Sequence, residues 1–179
     1  GSPTEIMAYG MPYKLLWNEL SKVNPDYHSI CTNFINFYSN YKYEGTPYPY
    51  GTISVIDCSQ VEGMVNIMKE INASSSLSTV VESDLQSMDG YVPSMFYDMG
   101  DYVRRIAQNE PYLLTRFNNQ LNLLVPEKGN TVSYYTAVRP GGGVVLPIRT
   151  YSGITISDPS SNPVVTRSLN KNLYYKATH

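Results

Sequence analysis

Residues 51–71, GTISVIDCSQVEGMVNIMKEI, decide how the rest of the chain is read. The first seven are rich in β-branched residues and close to continuously apolar, the pattern of a parallel strand buried on both faces of a sheet. Such a strand needs backbone partners on both edges. It ends at Asp57. Ser59 and Glu62 then form the S-x-x-E pattern of a capping box, in which Ser59 accepts from the N–H of Glu62 and Glu62 reaches back to the cap. Val61, Met64, Val65, Met68 and Ile71 fall on one helical face. Strand, cap and helix in direct succession predict an α/β layer.

Upstream, residues 12–22 (PYKLLWNELSK) predict a short helix with Leu15, Leu16 and Leu20 as its apolar stripe and Trp17 beside it. Asn24 is expected to cap a longer helix, with Pro25 at its first position, Asp26 in its first turn, and Ile30, Phe34, Phe37 and Tyr41 on one face. YEGTPYPYG (residues 43–51) ends it.

Downstream, NASSSLS (residues 72–78) is a polar linker whose Asn72-Ala73-Ser74 matches a glycosylation acceptor by a pattern common by chance. Residues 91–125 predict two helices broken at Asn109 to Pro111. Phe96, Met99, Val103 and Ile106 share a face of the first; Leu113, Leu114, Phe117, Leu121 and Leu124 line the second. PEKGN (residues 126–130) ends that unit. TVSYYTAV (131–138) and GGVVLPIRTY (142–151) are expected strands around the turn RPGGG, YSGITISD (151–158) a further strand, and TRSLNKNLYYKATH (166–179) a closing helix.

Composition narrows the function. Lys and Arg number 13 against 15 Asp and Glu, with no long run of either sign, which argues against a nucleic-acid footprint or a polybasic membrane anchor. No apolar run is long enough to span a bilayer. Charged residues are only 16% of the chain, which leaves more apolar surface than usual to be covered and hints at a partner. Seventeen tyrosines suit core edges and domain contacts, with a glycan-binding aromatic face as the sharper alternative.

Chemistry is scarce. His28 and Cys31 lie three apart on one helix, a possible thiolate–imidazole pair, but Cys31 falls on the apolar stripe and is expected to be packing. Cys58 stands at a helix start, where a thiolate would be stabilised, yet the only other histidine is His179. The two thiols are expected to stay unbridged. Asp98 and Asp101 invite a metal reading, but Arg104 and Arg105 explain them equally well by charge pairing. RPGGGV lacks the Lys-Ser or Lys-Thr sequel of a phosphate cradle. The residues thus point to no metal, no cofactor and no active site of their own.

The order of the segments SPTEIMAYGMPY (2–13), GTISVIDCSQVEGMVNIMKEI, MFYDMGDYVRRI (95–106), YSGITISDP and LNKNLYYKAT (169–178) resembles the downstream half of clostripain-like cysteine peptidases. The resemblance implies an α/β fold, part of a caspase-like three-layer sheet with flanking helices (residues 1–80), followed by a C-terminal region of a helical pair, short strands and a terminal helix (residues 81–179). It also implies that the catalytic histidine and cysteine lie upstream of residue 1. Ser2, Pro3, Glu5, Gly10, Pro12 and Tyr13 match the family's SP-x-E loop and G-x-PY turn. Some relatives place there an acid that holds a substrate Arg or Lys, which makes Glu5 and Tyr9 the candidates for a substrate-pocket wall. The implied activity is endopeptidase cleavage after Arg or Lys, in a secreted or cell-envelope protein partnered by its upstream half. Two alternatives stay open: a noncatalytic scaffold or a protein- or glycan-binding module derived from the family, and the heavy chain of a processed two-chain enzyme.

Overall fold

The computed structural model describes residues 13–136 and 143–179. Helix α1 (Tyr13–Leu20) buries Leu16 and leaves Trp17 and Leu20 exposed, so its apolar stripe is narrower than expected. Helix α2 (Tyr27–Ser39) starts later than the Asn24-Pro25 pattern predicts. Its cap is Asp26, whose carboxylate accepts from the Ser29 amide (3.2 Å) and the Ser29 hydroxyl (2.6 Å). A carboxylate at the positive end of a helix adds a favourable charge–dipole interaction to the capping hydrogen bonds. Ile30, Phe34 and Tyr38 of α2 join Leu16 in a small core, with Phe37 and Tyr41 packed at its edge.

A tight hairpin, β1 (Lys42–Tyr43) and β2 (Thr46–Pro47), leads into β3 (Thr52–Val55). β3 corrects the sequence reading in two ways. Its partner is antiparallel, and it is β5 (Glu127–Asn130), the PEKGN segment read as the end of a helical unit; Thr52 stands opposite Asn130 and Val55 opposite Glu127. Its burial is also partial: Thr52 is buried, Ile53 to Val55 are half-buried and Ile56 is exposed. Each face is nonetheless covered by something. Ile53 packs into the α1–α2 core, while Tyr151 stands beside Thr52 and Ser54 on the other side. Among the described residues β5 is the strand's one ladder partner.

After β3 the chain makes a 3-10 turn, Cys58–Gln60, and enters α3 (Val61–Asn72). The expected capping box between Ser59 and Glu62 does not form. Asp57 caps instead, accepting from the Ser59 amide at 2.9 Å and the Ser59 hydroxyl at 2.7 Å, and the 3-10 turn places Ser59 a residue too early to cap α3.

The sequence reading also placed a helix from residue 91, but the helix begins only at Met99. Ahead of it, the Asp89 carboxylate gathers the amides of Gly90, Tyr91, Met95 and Phe96 and the hydroxyl of Ser94, all within 2.9 Å. A side chain that satisfies so many donors replaces the helical ladder as the organiser of that segment. The short strand β4 (Tyr97–Asp98) then runs into α4 (Met99–Ile106), and α5 (Pro111–Leu124) starts after the break expected before Pro111. The main core is built by Met64, Ile67, Met68 and Ile71 of α3, Met99, Val103 and Ile106 of α4, and Phe117, Leu121 and Leu124 of α5. Their i, i+3, i+4 and i+7 spacing is what holds α3 against α5.

β6 (Ser133–Thr136) and β7 (Val144–Pro147) form the expected antiparallel pair. β8 (Thr155–Ile156) pairs with β4 rather than with β3. The closing helix is two, α6 (Pro163–Ser168) and α7 (Leu173–Thr178), joined by a 3-10 turn, with Asn162 and Asn172 as caps. The result is a mixed α/β fold in which every sheet among the described residues is two-stranded; the full three-layer sheet is not seen there. No described helix is long and apolar enough to cross a membrane.

Candidate functional site

The motif Tyr-Asp-x-Gly-Asp, residues 97–101, is where the sequence placed a possible metal site, and it is a structural joint. Asp98 is 1% exposed; one carboxylate oxygen caps α4 by accepting from the Asp101 amide (2.8 Å), and the other accepts from the amide of Ser152. Asp101, equally buried, accepts from the Gln86 amide (2.8 Å), from Arg105 Nε (3.2 Å) and from Arg104. All four oxygens of the pair are thus directed at protein donors, and no group of three or more metal-ligating side chains occurs among the described residues. Charge pairing with the two arginines, the plainer sequence reading, is what forms.

Gly100 and Gly153 let this joint close. The Gly100 amide donates to the Ser152 hydroxyl (3.1 Å), and a Cβ on Gly100 would stand 2.8 Å from that of Ser152. Gly153 has φ +90°, in the left-handed region, and a Cβ there would meet Val125 at 2.6 Å and Ser54 of β3 at 3.2 Å. The Asp98–Ser152 joint therefore fixes the Tyr151–Gly153 segment against β3. Sequence reasoning singled out both motifs but had no means of seeing that they meet.

The candidate nucleophiles and bases are not assembled. Cys31 is 3% exposed, and burial pushes its thiol up from the usual range, with the nearby Glu127 carboxylate adding to the effect. His28 points away to solvent, with Nδ1 3.3 Å from Glu127 Oε2. Cys58 is exposed at the start of the 3-10 turn after β3. His179 lies at the end of α7, stacked on Tyr175 with Nε2 3.3 Å from Asn72 Nδ2. Both cysteines are free thiols, as expected. Glu5 and Tyr9, with the rest of the SP-x-E loop, lie outside the described residues. What is on view is a 3-10 turn capped by Asp57 at the end of β3 and a segment clamped across the strand's face.

Comparison with known proteins identifies the family. The chain is similar over its full length to a clostripain from Bacteroides thetaiotaomicron ATCC 29148 solved in complex with the peptide inhibitor BTN-VLTK-AOMK, at 44% identity and a TM-score of 0.85, covering 75% of that chain. It is equally similar to "iotapain", a secreted C11 cysteine protease from the same species, at 44% identity and a TM-score of 0.85, of which it spans 48%. An inactive zymogen of a C11 protease from Parabacteroides distasonis matches at 28% identity with a TM-score of 0.79, and the chain spans 51% of it. The chain thus spans about half the length of two of these three relatives. No curated protein matches. Residues 1–169 fit the description of the clostripain family, Peptidase_C11. The chain belongs to the clostripain family of cysteine peptidases.

Proposed function

We propose that this chain is the downstream part of a secreted, clostripain-like cysteine endopeptidase that cleaves after Lys or Arg, and that it supplies the sheet scaffold and one wall of the substrate pocket. The observation that carries the reading is the 44% identity, over the whole chain, to a clostripain captured with a peptide inhibitor whose sequence, VLTK, ends in lysine. In such an enzyme a thiolate attacks the peptide carbonyl and an imidazole protonates the leaving amine. Both groups would come from an upstream portion of the same protein. Its natural seat would be the edge of β3 away from β5, which has no ladder partner among the described residues. Glu5 is the acid that would hold the substrate's ammonium or guanidinium by a charge-assisted hydrogen bond, and Tyr9 is the second candidate for the pocket wall.

The test is reconstitution. The purified chain alone should leave Lys- and Arg-ended reporter peptides intact, whereas the chain co-expressed with its upstream segment should cleave them, and a thiol alkylator should abolish the cleavage. Glu5→Gln in the reconstituted enzyme should lower kcat/KM on those reporters about a hundredfold while leaving a reporter with a neutral residue at the same place unchanged. Alkylation-sensitive turnover by the chain alone would move the nucleophile to Cys58 or Cys31. A reconstituted protein with no turnover at all would leave the noncatalytic reading standing.

A further inference from the structure

A cavity of about 310 Å³ opens between α3, β8 and the start of α7. Most of its wall is apolar, formed by Val61, Met64 and Val65 of α3 with Phe96, Leu124 and Ile156. One end is polar, where Asp158 and Tyr174 line it together. The Asp158 side chain is only 6% exposed, and its Oδ2 is buried without a hydrogen-bond partner. The hydroxyl of Tyr174 is buried and unpartnered too. The nearest ionisable neighbour is His179, whose Nε2 stands 3.8 Å from Asp158 Oδ2, outside hydrogen-bond range.

Two orphaned polar atoms at the end of an apolar cavity are unusual, because buried polar groups are nearly always paired. Burial pushes the acidity of both groups toward the neutral form, Asp158 upward from the carboxylate range and Tyr174 further up still. Among the described residues no donor reaches Asp158 Oδ2 within hydrogen-bond distance. What would satisfy the site is a compact donor carrying positive charge on an apolar stem: the charge meets the carboxylate, the phenol oxygen accepts a second N–H, and the stem lies along the methionine and valine wall. A guanidinium, with five donors in a planar fork, would leave more N–H groups unpaired here than an ammonium does.

We propose that this cavity binds a protonated alkylamine, with its ammonium held by Asp158 and Tyr174 and its methylene stem held by the wall formed by Met64, Val65 and Leu124. Every group the inference uses is described in this chain, and it rests on the proposed function only for the upstream segment supplied in its test. One chemistry covers two sources, a free aliphatic amine and the side chain of a lysine within a polypeptide.

Calorimetric titration of the chain co-expressed with its upstream segment, near pH 8, tests it with three probes: n-pentylammonium, Nα-acetyl-lysine N-methylamide, and 1-pentanol as the uncharged counterpart. Pentylammonium should bind about tenfold more tightly than pentanol, and Asp158→Asn should weaken the amine about tenfold while changing pentanol less than about twofold. Tyr174→Phe, which keeps the ring and its packing, should weaken the amine by about threefold and serves as the readout if Asp158→Asn does not fold. Binding of the blocked lysine as well as the free amine assigns the site to a polypeptide lysine; binding of pentylammonium alone assigns it to free amines. The proposal is overturned if neither amine binds, if pentanol binds as tightly as pentylammonium, or if both variants bind like the parent. Because the readout is binding, a reconstituted protein without peptidase activity can still support the site.

Discussion

The carboxylate of Asp98 receives the backbone amide of Ser152, and so ties the start of α4 to a segment 54 residues further along the chain. Two motifs that look separate in the sequence are the two sides of one hydrogen bond. Both partners are buried, so each would carry an unpaired polar group if the other were lost. Asp98→Ala should therefore destabilise the fold by about 3 kcal/mol, since it removes a cap and a buried acceptor together. Urea denaturation checks it; a loss below about 1 kcal/mol would mean the joint is dispensable.

Gly100 and Gly153 answer to different constraints. Gly100→Ala places a Cβ against that of Ser152 in helical backbone, and Gly153→Ala adds an unfavourable φ to a clash with Val125. Gly153→Ala should thus cost more, about 2–4 kcal/mol, than Gly100→Ala at about 1–3 kcal/mol. The ordering of the two melting temperatures is the measurement, and the reverse order would show that the Ser152 contact is the stiffer one.

The thiols should differ sharply in reactivity. Cys58 is exposed and Cys31 is 3% exposed in the α2 core. Iodoacetamide should label Cys58 in the native chain, while Cys31 should label about a hundredfold more slowly, at the rate at which the helix opens. Mass spectrometry of timed samples reads both. Equal labelling would mean that α2 does not hold its place on β3.

Asp158 sets a pH dependence of stability. The groups facing it are Tyr102, Tyr174 and His179; burial raises its carboxyl above the ordinary 3.8, and only the imidazole of His179 opposes that. The folded state then binds a proton that the unfolded state releases, so stability falls as pH rises from the ordinary value through the raised one. Asp158→Asn removes the charge and should leave stability nearly unchanged at the acid end. Near pH 7 it should raise stability by about 1 kcal/mol. Thermal melts of both proteins across that range decide it, and a variant that is less stable at neutral pH would show Asp158 to be paired in solution.

Much of the helical architecture is legible in the sequence, because periodic apolar residues report directly on which face meets a core. Met64, Met68 and Ile71, or Phe117, Leu121 and Leu124, are such cases. Competing local signals were harder to rank: Asp26 caps where Asn24 was expected to, and Asp57 where Ser59 was, since all are good capping types and the charge–helix interaction of a carboxylate one or two residues away tips the balance. Pairing was hidden altogether. Glu127 to Asn130 has a turn's composition and becomes a strand only because β3 offers it a ladder. The Asp98–Ser152 joint and the Asp158 cavity were invisible for the same reason, as both depend on which distant residues are brought together.

The strand pairs themselves carry a further consequence. β3 waits for β5, and β4, which lies between them in the chain, waits for β8 beyond them both. The two ladders are therefore crossed in sequence, like laces: the first cannot close before β4 has been made, and the second closes only after the first has both its strands. A ribosome that has released everything up to Asn130 has supplied β3 with its mate but left β4 without one, and Gly153 has yet to arrive over Ser54. Completion of the second ladder is postponed until Ile156 has been made, and Gly153, which closes over Ser54, arrives with it, so the last strand pair and the clamp across β3 are set in place together.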